Sequence, residues 1–540
     1  MKHVLIILLL SVTLQINAQL VKDRPKIGLV LSGGAVKGIA HVGVIKVLEE
    51  EGIIPDFITG TSIGAIVGGL YAMGYSADQL VAIAKTTPWS YYFNDDWPRT
   101  SIPLDRRMQM EKYLIKFEWT PRGISLPKSL VYGEKLSLLL SKLTIPAHSI
   151  DDFDDLPIPF RCIATDIATG EAKVFKSGDI ATVMRASMSL PSIFEPVVID
   201  GKTYVDGGAS RNFPIEDARN MGADIIIAVD VEAGLTKLEK LSSALDILDQ
   251  TVNFRINDSS SKQRPLADII IKPNLDGITG LSFNKVDDLL RLGQEAAKLA
   301  LPSLKKIIGQ YEGRVGSTIL HKKEYPISTF NISSGKGKTD NIIKAALGIK
   351  ESTIVSVEKL EKNATRLYTT EWVRSLQYKI VSKEQNMHLL EIKAEPRPTT
   401  WLKIGANYDS DLKAAIGLGF FKRNFLLNGS QGRINMRISE NPALDLNYKI
   451  PISGNQKTNI SLSTTMNFFP GNGFVNGNLV NQFKVHHFQS SINLLHNLGS
   501  NSLIMVGLGR EQFTQNQKLY NPFKDGLRLT QAAIPIAIEH

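Results

Sequence analysis

The sequence predicts three segments in succession: an α/β domain with a mostly parallel sheet, a small α+β module, and an antiparallel β segment. Three observations carry this. Over 25–310, short apolar runs alternate with amphipathic helical stretches, the pattern of strands joined by crossover helices. Between about 322 and 396 the order changes to strand, two helices and two strands. From Trp401 onward hydrophobicity has period two and no helical pattern interrupts it.

In the first segment, 26–31 reads as a strand, 39–51 as a helix closed by Gly52, and 56–59 as a second strand. A helix over 65–73 ends at Gly74, and Ser76 with Gln79 three residues on forms a capping box for the next helix. Later strands are expected at 160–165, 224–229 and 268–271. In the module, the strands are 326–332, 373–381 and 388–393, and the helices 340–347 and 353–368. Over 400–540, Ile434-Asn435-Met436-Arg437-Ile438 typifies alternating segments of about ten residues split by Gly/Asn/Pro turns, as a transmembrane β-barrel requires. A soluble β-sandwich is the rival reading. Roughly nine strands are expected, too few for an evident closed, even-numbered barrel, so the barrel segment reads as incomplete.

At 540 residues the chain exceeds one ordinary core, and no internal window holds the run of about 18 apolar residues of a membrane-spanning helix. Residues 1–18 read as a signal peptide: Lys2, an apolar run over 4–12, and Ile16-Asn17-Ala18 before Gln19, which implies export. The single cysteine, Cys162, rules out an intramolecular disulfide and reads as a buried apolar residue. The net charge of +9 comes from scattered Lys and Arg with no dense basic tract, so no nucleic-acid partner is expected.

The strongest chemical signal is Gly60-Thr61-Ser62-Ile63-Gly64, set between a strand and a helix. A serine on such a tight turn is pushed out of the sheet, the flanking glycines tolerate strain, and the helix N-terminus favours developing negative charge. The second signal is Ser32-Gly33-Gly34-Ala35-Val36-Lys37-Gly38, whose backbone amides can converge on an oxyanion. A dinucleotide fingerprint would need glycine where Ala35 stands. Lys37 reads either as a contact for a phosphate head group or as a solvated lysine.

A catalytic serine needs a base. His41 and His148, the histidines of this segment, both precede Asp206, so the order Ser, Asp, His is unavailable. A carboxylate acting directly on Ser62 is the alternative, and Asp206 in Tyr204-Val205-Asp206-Gly207-Gly208 is the candidate. No cofactor or metal is expected: zinc-ligand clusters are missing, and Asp151, Asp152, Asp154 and Asp155 read as a solvated turn.

Together, Gly33-Gly34-Ala35-Val36-Lys37-Gly38, Gly60-Thr61-Ser62-Ile63-Gly64 and Asp206-Gly207-Gly208 resemble the three signature elements of the patatin-like phospholipase family. Ala164-Thr165-Asp166, Ala186-Ser187 and Phe194-Glu195-Pro196 extend the likeness over most of 25–310. The resemblance implies a three-layer α/β domain with a Ser62–Asp206 dyad, Gly33, Gly34 and Ala35 as oxyanion donors, and Lys37, Gly38, Gly60, Gly64, Gly207 and Gly208 as motif positions. The segment 322–396 resembles a POTRA module. The segment 400–540, with Gly405-Ala406-Asn407-Tyr408-Asp409 and Arg423-Asn424, is similar to the start of an Omp85/BamA-type outer-membrane barrel. The expected protein is an outer-membrane lipid acyl hydrolase acting on membrane phospholipid or another acyl ester, with its hydrolase domain periplasmic or at the cell surface. A homo-oligomer is left open. The alternative is an assembly or translocation protein of the Omp85 type whose α/β domain binds lipid or a partner without turnover.

Overall fold

The computed structural model describes residues 24–539 except 108–112, 121–122, 126–128, 192, 233, 236–238, 240–243, 309–318, 320–321, 336, 410–412, 453–455, 477, 499–501, 518–527 and 534–535. The expected signal peptide at 1–18 lies outside the described residues. The chain divides into two compact units, and the division does not follow chain order. One holds the residues through Ser90 with Pro146–Pro191 and Pro196–His321; the other holds Tyr91–Ile145, Ser192–Glu195 and Lys322–His540.

The first unit is built on an eight-stranded sheet. Its order is Ile269–Ile271, Ile225–Val229, Ile27–Leu31, Phe57–Thr61, Phe160–Asp166, Lys202–Asp206 and Val197–Ile199, with Ala172–Phe175 also on Phe160–Asp166. The first five run parallel and the remaining pairings are antiparallel. Every residue of Ile27–Leu31 and of Ile225–Val229 is buried, as strands covered on both faces must be. On one face Val30, Ile226 and Ala228 meet Phe213, Ile215 and Ala218. Leu31 and Ile58, of opposite parity, meet Gly68 of the helix Ile63–Ala72 on the other. The expected capping box forms: Ser76 Oγ accepts from Gln79 N at 3.3 Å and Gln79 Oε1 from Ser76 N at 3.1 Å.

The second unit contains two sheets. The smaller has the order Thr353–Ser356, Glu324–Ser333, His388–Pro396, Val373–Ser382, with helices Gly337–Leu347 and Val357–Thr369. The expected helix over 353–368 is thus corrected: its first four residues, Thr-Ile-Val-Ser, are a strand antiparallel to Glu324–Ser333, and the helix begins at Val357. Three successive β-branched residues, Thr353, Ile354 and Val355, suit a ladder better than a first helical turn.

The larger sheet is antiparallel throughout and has eleven strands, nine of them from Thr400 onward. The other two, Ile115–Thr120 and Gly123–Ser125, come from within 25–310 and join at Thr400–Asp409 through Trp401↔Glu118 to Ile404↔Ile115. No pairing closes this sheet on itself among the described residues. Its two faces differ in chemistry. Cross-strand partners share a face, and one row runs Ile115, Ile404, Leu418, Met436, Leu444, Met466, Phe488. The neighbouring row on the other face runs Lys403, Gly419, Asn435, Asp445, Thr465, Gln489. On the apolar face Ile434, Met436, Ile438, Ile492 and Leu508 are exposed.

Candidate active site

The strand Phe57–Thr61 turns into the helix Ile63–Ala72 at Ser62, whose φ of 57° and ψ of −125° are a costly backbone conformation for a residue with a side chain. The turn is possible because the chain crosses itself at glycine. A methyl group on Gly64 would lie 2.7 Å from Ser32 O, and one on Gly60 would lie 2.8 Å from Ala65 Cα. The strain is held in place by Ser187, whose Oγ accepts from Ser62 N at 2.8 Å while donating to Ile163 O at 2.5 Å.

Held this way, the Ser62 hydroxyl donates to Asp206 Oδ2 at 2.7 Å. Asp206 ends the strand Lys202–Asp206, its other oxygen accepts from Gly208 N at 2.7 Å, and its backbone N–H donates to Ser189 O at 2.8 Å. The residue is 6% exposed. Burial raises its carboxyl from the ordinary 3.8 to about 6, and the hydrogen bonds from Ser62 and Gly208 limit the rise. The pair therefore joins a hydroxyl to a buried carboxylate that stays mostly ionised at neutral pH and readily takes up a proton.

The glycine loop runs from Leu31 into the short turn Ala35–Gly38. A methyl group on Gly33 would lie 3.2 Å from Ser62 Cβ, so the loop passes directly against the serine. One expectation is narrowed here: Gly33 N–H is already donated to Asn212 O at 3.2 Å. Gly34 and Ala35 N–H form no hydrogen bond among the described residues, whereas Val36 N and Lys37 N are bonded to Gly280 O and Gly34 O. Ala35 has a φ of 50°. Lys37 is buried, which removes the solvated reading of it. Gly38 packs against the Ile63 side chain, and Gly207 lies against Thr61 and the Ile163 carbonyl. Gly60, Gly64 and Gly208 sit around the dyad as described above.

Two site residues had no motif to reveal them. Ser187 figured in the sequence only as part of a family likeness. Asn212, buried, bridges loops distant in sequence: its carbonyl holds Gly33 and its Nδ2 donates to Glu232 Oε1 at 2.6 Å. Glu232 is held in turn by Ser260 and by Arg264, whose Nη2 lies 2.5 Å from Oε2. Burial raises the Glu232 carboxyl, while bonds from Ser260 and Asn212 oppose the rise.

The remaining candidates take no part in the hydrogen bond between Ser62 and Asp206. His41 is fully buried, its Nε2 donates to Ser32 O at 2.9 Å, and burial lowers its pKa to about 4, so it is neutral. His148 is buried, and Cys162 is a buried thiol pushed up to about 12 by desolvation. Asp154 pairs with Arg161 at 2.7 Å. Among the described residues no group of three or more His, Cys, Asp and Glu is arranged to hold a metal ion.

The family model described as patatin-like phospholipase matches residues 29–219. A patatin-like phospholipase domain-containing protein of Caenorhabditis elegans is 35% identical over 207 residues, covering 38% of this chain and 13% of the relative. A lysophospholipase of Emericella nidulans is 34% identical over 205 residues, covering 38% of this chain and 12% of the relative. The chain thus spans well under a fifth of the length of these two curated relatives. Among solved structures, VipD from Legionella pneumophila matches with a TM-score of 0.31 and 15% identity, covering 52% of this chain and 67% of that one. BamA from Haemophilus ducreyi matches with a TM-score of 0.30 and 14% identity, covering 39% and 42%. Residues 29–219 thus match the model of the patatin-like phospholipase domain.

Proposed function

We propose that this protein is a serine acyl hydrolase of phospholipase A type that cleaves lipid esters through Ser62 and Asp206. The observation that carries the reading is the 2.7 Å hydrogen bond from a backbone-strained serine to a buried aspartate of raised pKa. As Ser62 Oγ attacks the acyl carbonyl, its proton passes to Asp206 Oδ2. The oxyanion is received by the N–H groups of Gly34 and Ala35, donors whose removal typically costs about a hundredfold or more in rate. Collapse of the tetrahedral intermediate expels the alcohol, which takes the proton from Asp206 and leaves the acyl group on Ser62. Asp206 then takes a proton from the water that attacks the acyl carbon, and collapse of the second tetrahedral intermediate releases the fatty acid as Ser62 Oγ recovers that proton from Asp206. Asn212, anchored by Glu232, keeps the glycine loop against the serine.

The second unit is read as the membrane-facing part of an outer-membrane protein. Its large sheet supports this, because the apolar row Ile404 to Phe488 backs onto the polar row Lys403 to Gln489, as lipid-facing and lumenal residues do in a barrel. Strands of 18, 20 and 15 residues exceed the roughly 9–11 needed to cross a bilayer. The four-stranded sheet with two helices is the POTRA-like module, and export follows from the signal-peptide reading. Pure binding without turnover gives no reason for the cost of the Ser62 backbone.

The test is fatty-acid release from phosphatidylcholine in mixed micelles by the full chain, beside Ser62→Ala and Asp206→Asn. Each variant is expected to lose about a thousandfold or more. A Ser62→Ala protein that still hydrolyses the lipid at a comparable rate would end the proposal.

A further inference from the structure

The strands Ile115–Thr120 and Gly123–Ser125 form a hairpin whose side chains are turned the opposite way from those of a hairpin facing water. Ile115, Phe117 and Trp119 alternate along the first strand and so share one face, and Ile124 joins them as the cross-strand partner of Trp119. Ile115 is 52% exposed, Trp119 49% and Ile124 60%. The charged residues between them lie on the other face and are paired there, within the second unit. Lys116 Nζ is 2.7 Å from Glu371 Oε1 and 4.6 Å from the Trp401 ring, and Glu118 Oε2 is 2.5 Å from Arg374 Nη2.

The pairing fixes this orientation. A slip of one residue against Thr400–Asp409 would turn Lys116 and Glu118 away from Glu371 and Arg374 and carry Ile115, Phe117 and Trp119 to their side. In water the observed arrangement is the costly one, because a sheet edge with large apolar residues exposed on one face invites association, and soluble edges are blunted by charge. In hydrocarbon it is the arrangement required, with apolar side chains outward and charge inward. The outward face also continues the apolar face of the large sheet, since Ile115 stands opposite Ile404 and Phe117 opposite Leu402. Both strands come from Tyr91–Ile145, a stretch inserted where the first unit breaks off at Ser90 and before it resumes at Pro146.

We propose that this hairpin is a membrane-contacting element: Ile115, Trp119 and Ile124 meet the bilayer beside Thr400–Asp409, so that the segment 25–310 carries a lipid contact of its own. The inference rests on the reading of the large sheet as lipid-facing and extends it to two strands outside residues 400–540. The experiment uses the full chain reconstituted in vesicles of phosphatidylcholine and phosphatidylglycerol, with a bimane label at Ile124→Cys or at Ser125→Cys, which shares the face of its partner Glu118. Cys162 is buried, and the native chain serves as the blank for its labelling. Lipids carrying doxyl groups on their acyl chains are expected to quench the label at 124 at least about twofold more than the label at 125, and aqueous iodide to do the reverse. If Ile124→Cys does not fold, Trp119→Cys, on the same face, takes its place. Equal quenching of the two positions by doxyl lipid would overturn the proposal, as would a label at 124 shielded from both quenchers, the result a protein partner or a second copy would give. A third label at Met436→Cys, on the apolar row of the large sheet, separates the two failures: quenching by doxyl lipid at 436 but not at 124 removes the hairpin alone, and quenching at neither removes the lipid-facing reading as well.

Discussion

Replacing Asp206 by Asn should remove activity and yet stabilise the first unit, because the native carboxylate is a charge buried for function. Asn keeps the size of the side chain, its oxygen can accept from Gly208 N, and its amide can donate to Ser62 Oγ in place of the present bond. The folded carboxyl is raised to about 6 against an ordinary value of 3.8. The folded state therefore holds this proton more tightly than the unfolded chain. Its contribution is complete below about pH 4 and is lost as pH rises through about 6. At 1.36 kcal/mol per pH unit, the gap of about two units corresponds to about 3 kcal/mol withheld from the native protein above pH 7. The neutral amide escapes that loss. Urea unfolding of the full chain in detergent, read by pulse proteolysis of peptides from the first unit, measures the difference directly. Asp206→Asn should be more stable than the native protein by up to about 3 kcal/mol near pH 7.5, with the advantage gone near pH 4. A variant that is less stable at both pH values, or whose advantage ignores pH, would refute the reasoning.

Further outcomes follow from the same geometry. Fatty-acid release should fall about tenfold per pH unit below 6 and level off above about 7, since the ionised Asp206 is the base; a rate flat between about pH 4.5 and 7 would remove that role. Gly64→Ala should cost more than about 2 kcal/mol and most of the activity, because the added methyl meets the carbonyls of Leu31 and Ser32, and a folded, active variant would show the turn to be looser than described. Met436→Arg, on the apolar row between Leu418 and Leu444, should cost about 2–4 kcal/mol or block folding into lipid vesicles, while Asn435→Arg on the other face should not. Equal recovery of the two folded variants would argue against lipid contact.

The sequence made the first unit legible because its motifs are concentrated at strand ends. A serine between glycines after one strand, a glycine-rich turn after another and Asp-Gly-Gly after a third meet wherever those strands are neighbours, and they are: Ile27–Leu31, Phe57–Thr61, Phe160–Asp166 and Lys202–Asp206 lie side by side. What stayed hidden depends on contacts between distant residues. That Gly33 spends its N–H on Asn212 is fixed by a loop 179 residues away, with no spacing to announce it. Lys37 is buried by tertiary packing that its place at the start of a helix does not announce. The strand Ile115–Thr120 pairs with residues some 285 positions later, and its Ile-Lys-Phe-Glu-Trp-Thr alternation is too short to name a partner. Period two from Trp401 foretold an antiparallel sheet with one apolar face, but a local pattern holds no information on closure.

The most direct test of the central claim is labelling by a fluorophosphonate, followed by mass-spectrometric location of the adduct in the full chain. One adduct is expected, on Ser62, formed at a rate that rises with pH through about 6 and abolished in Ser62→Ala. An adduct on another residue, or a folded protein that takes none, would contradict it.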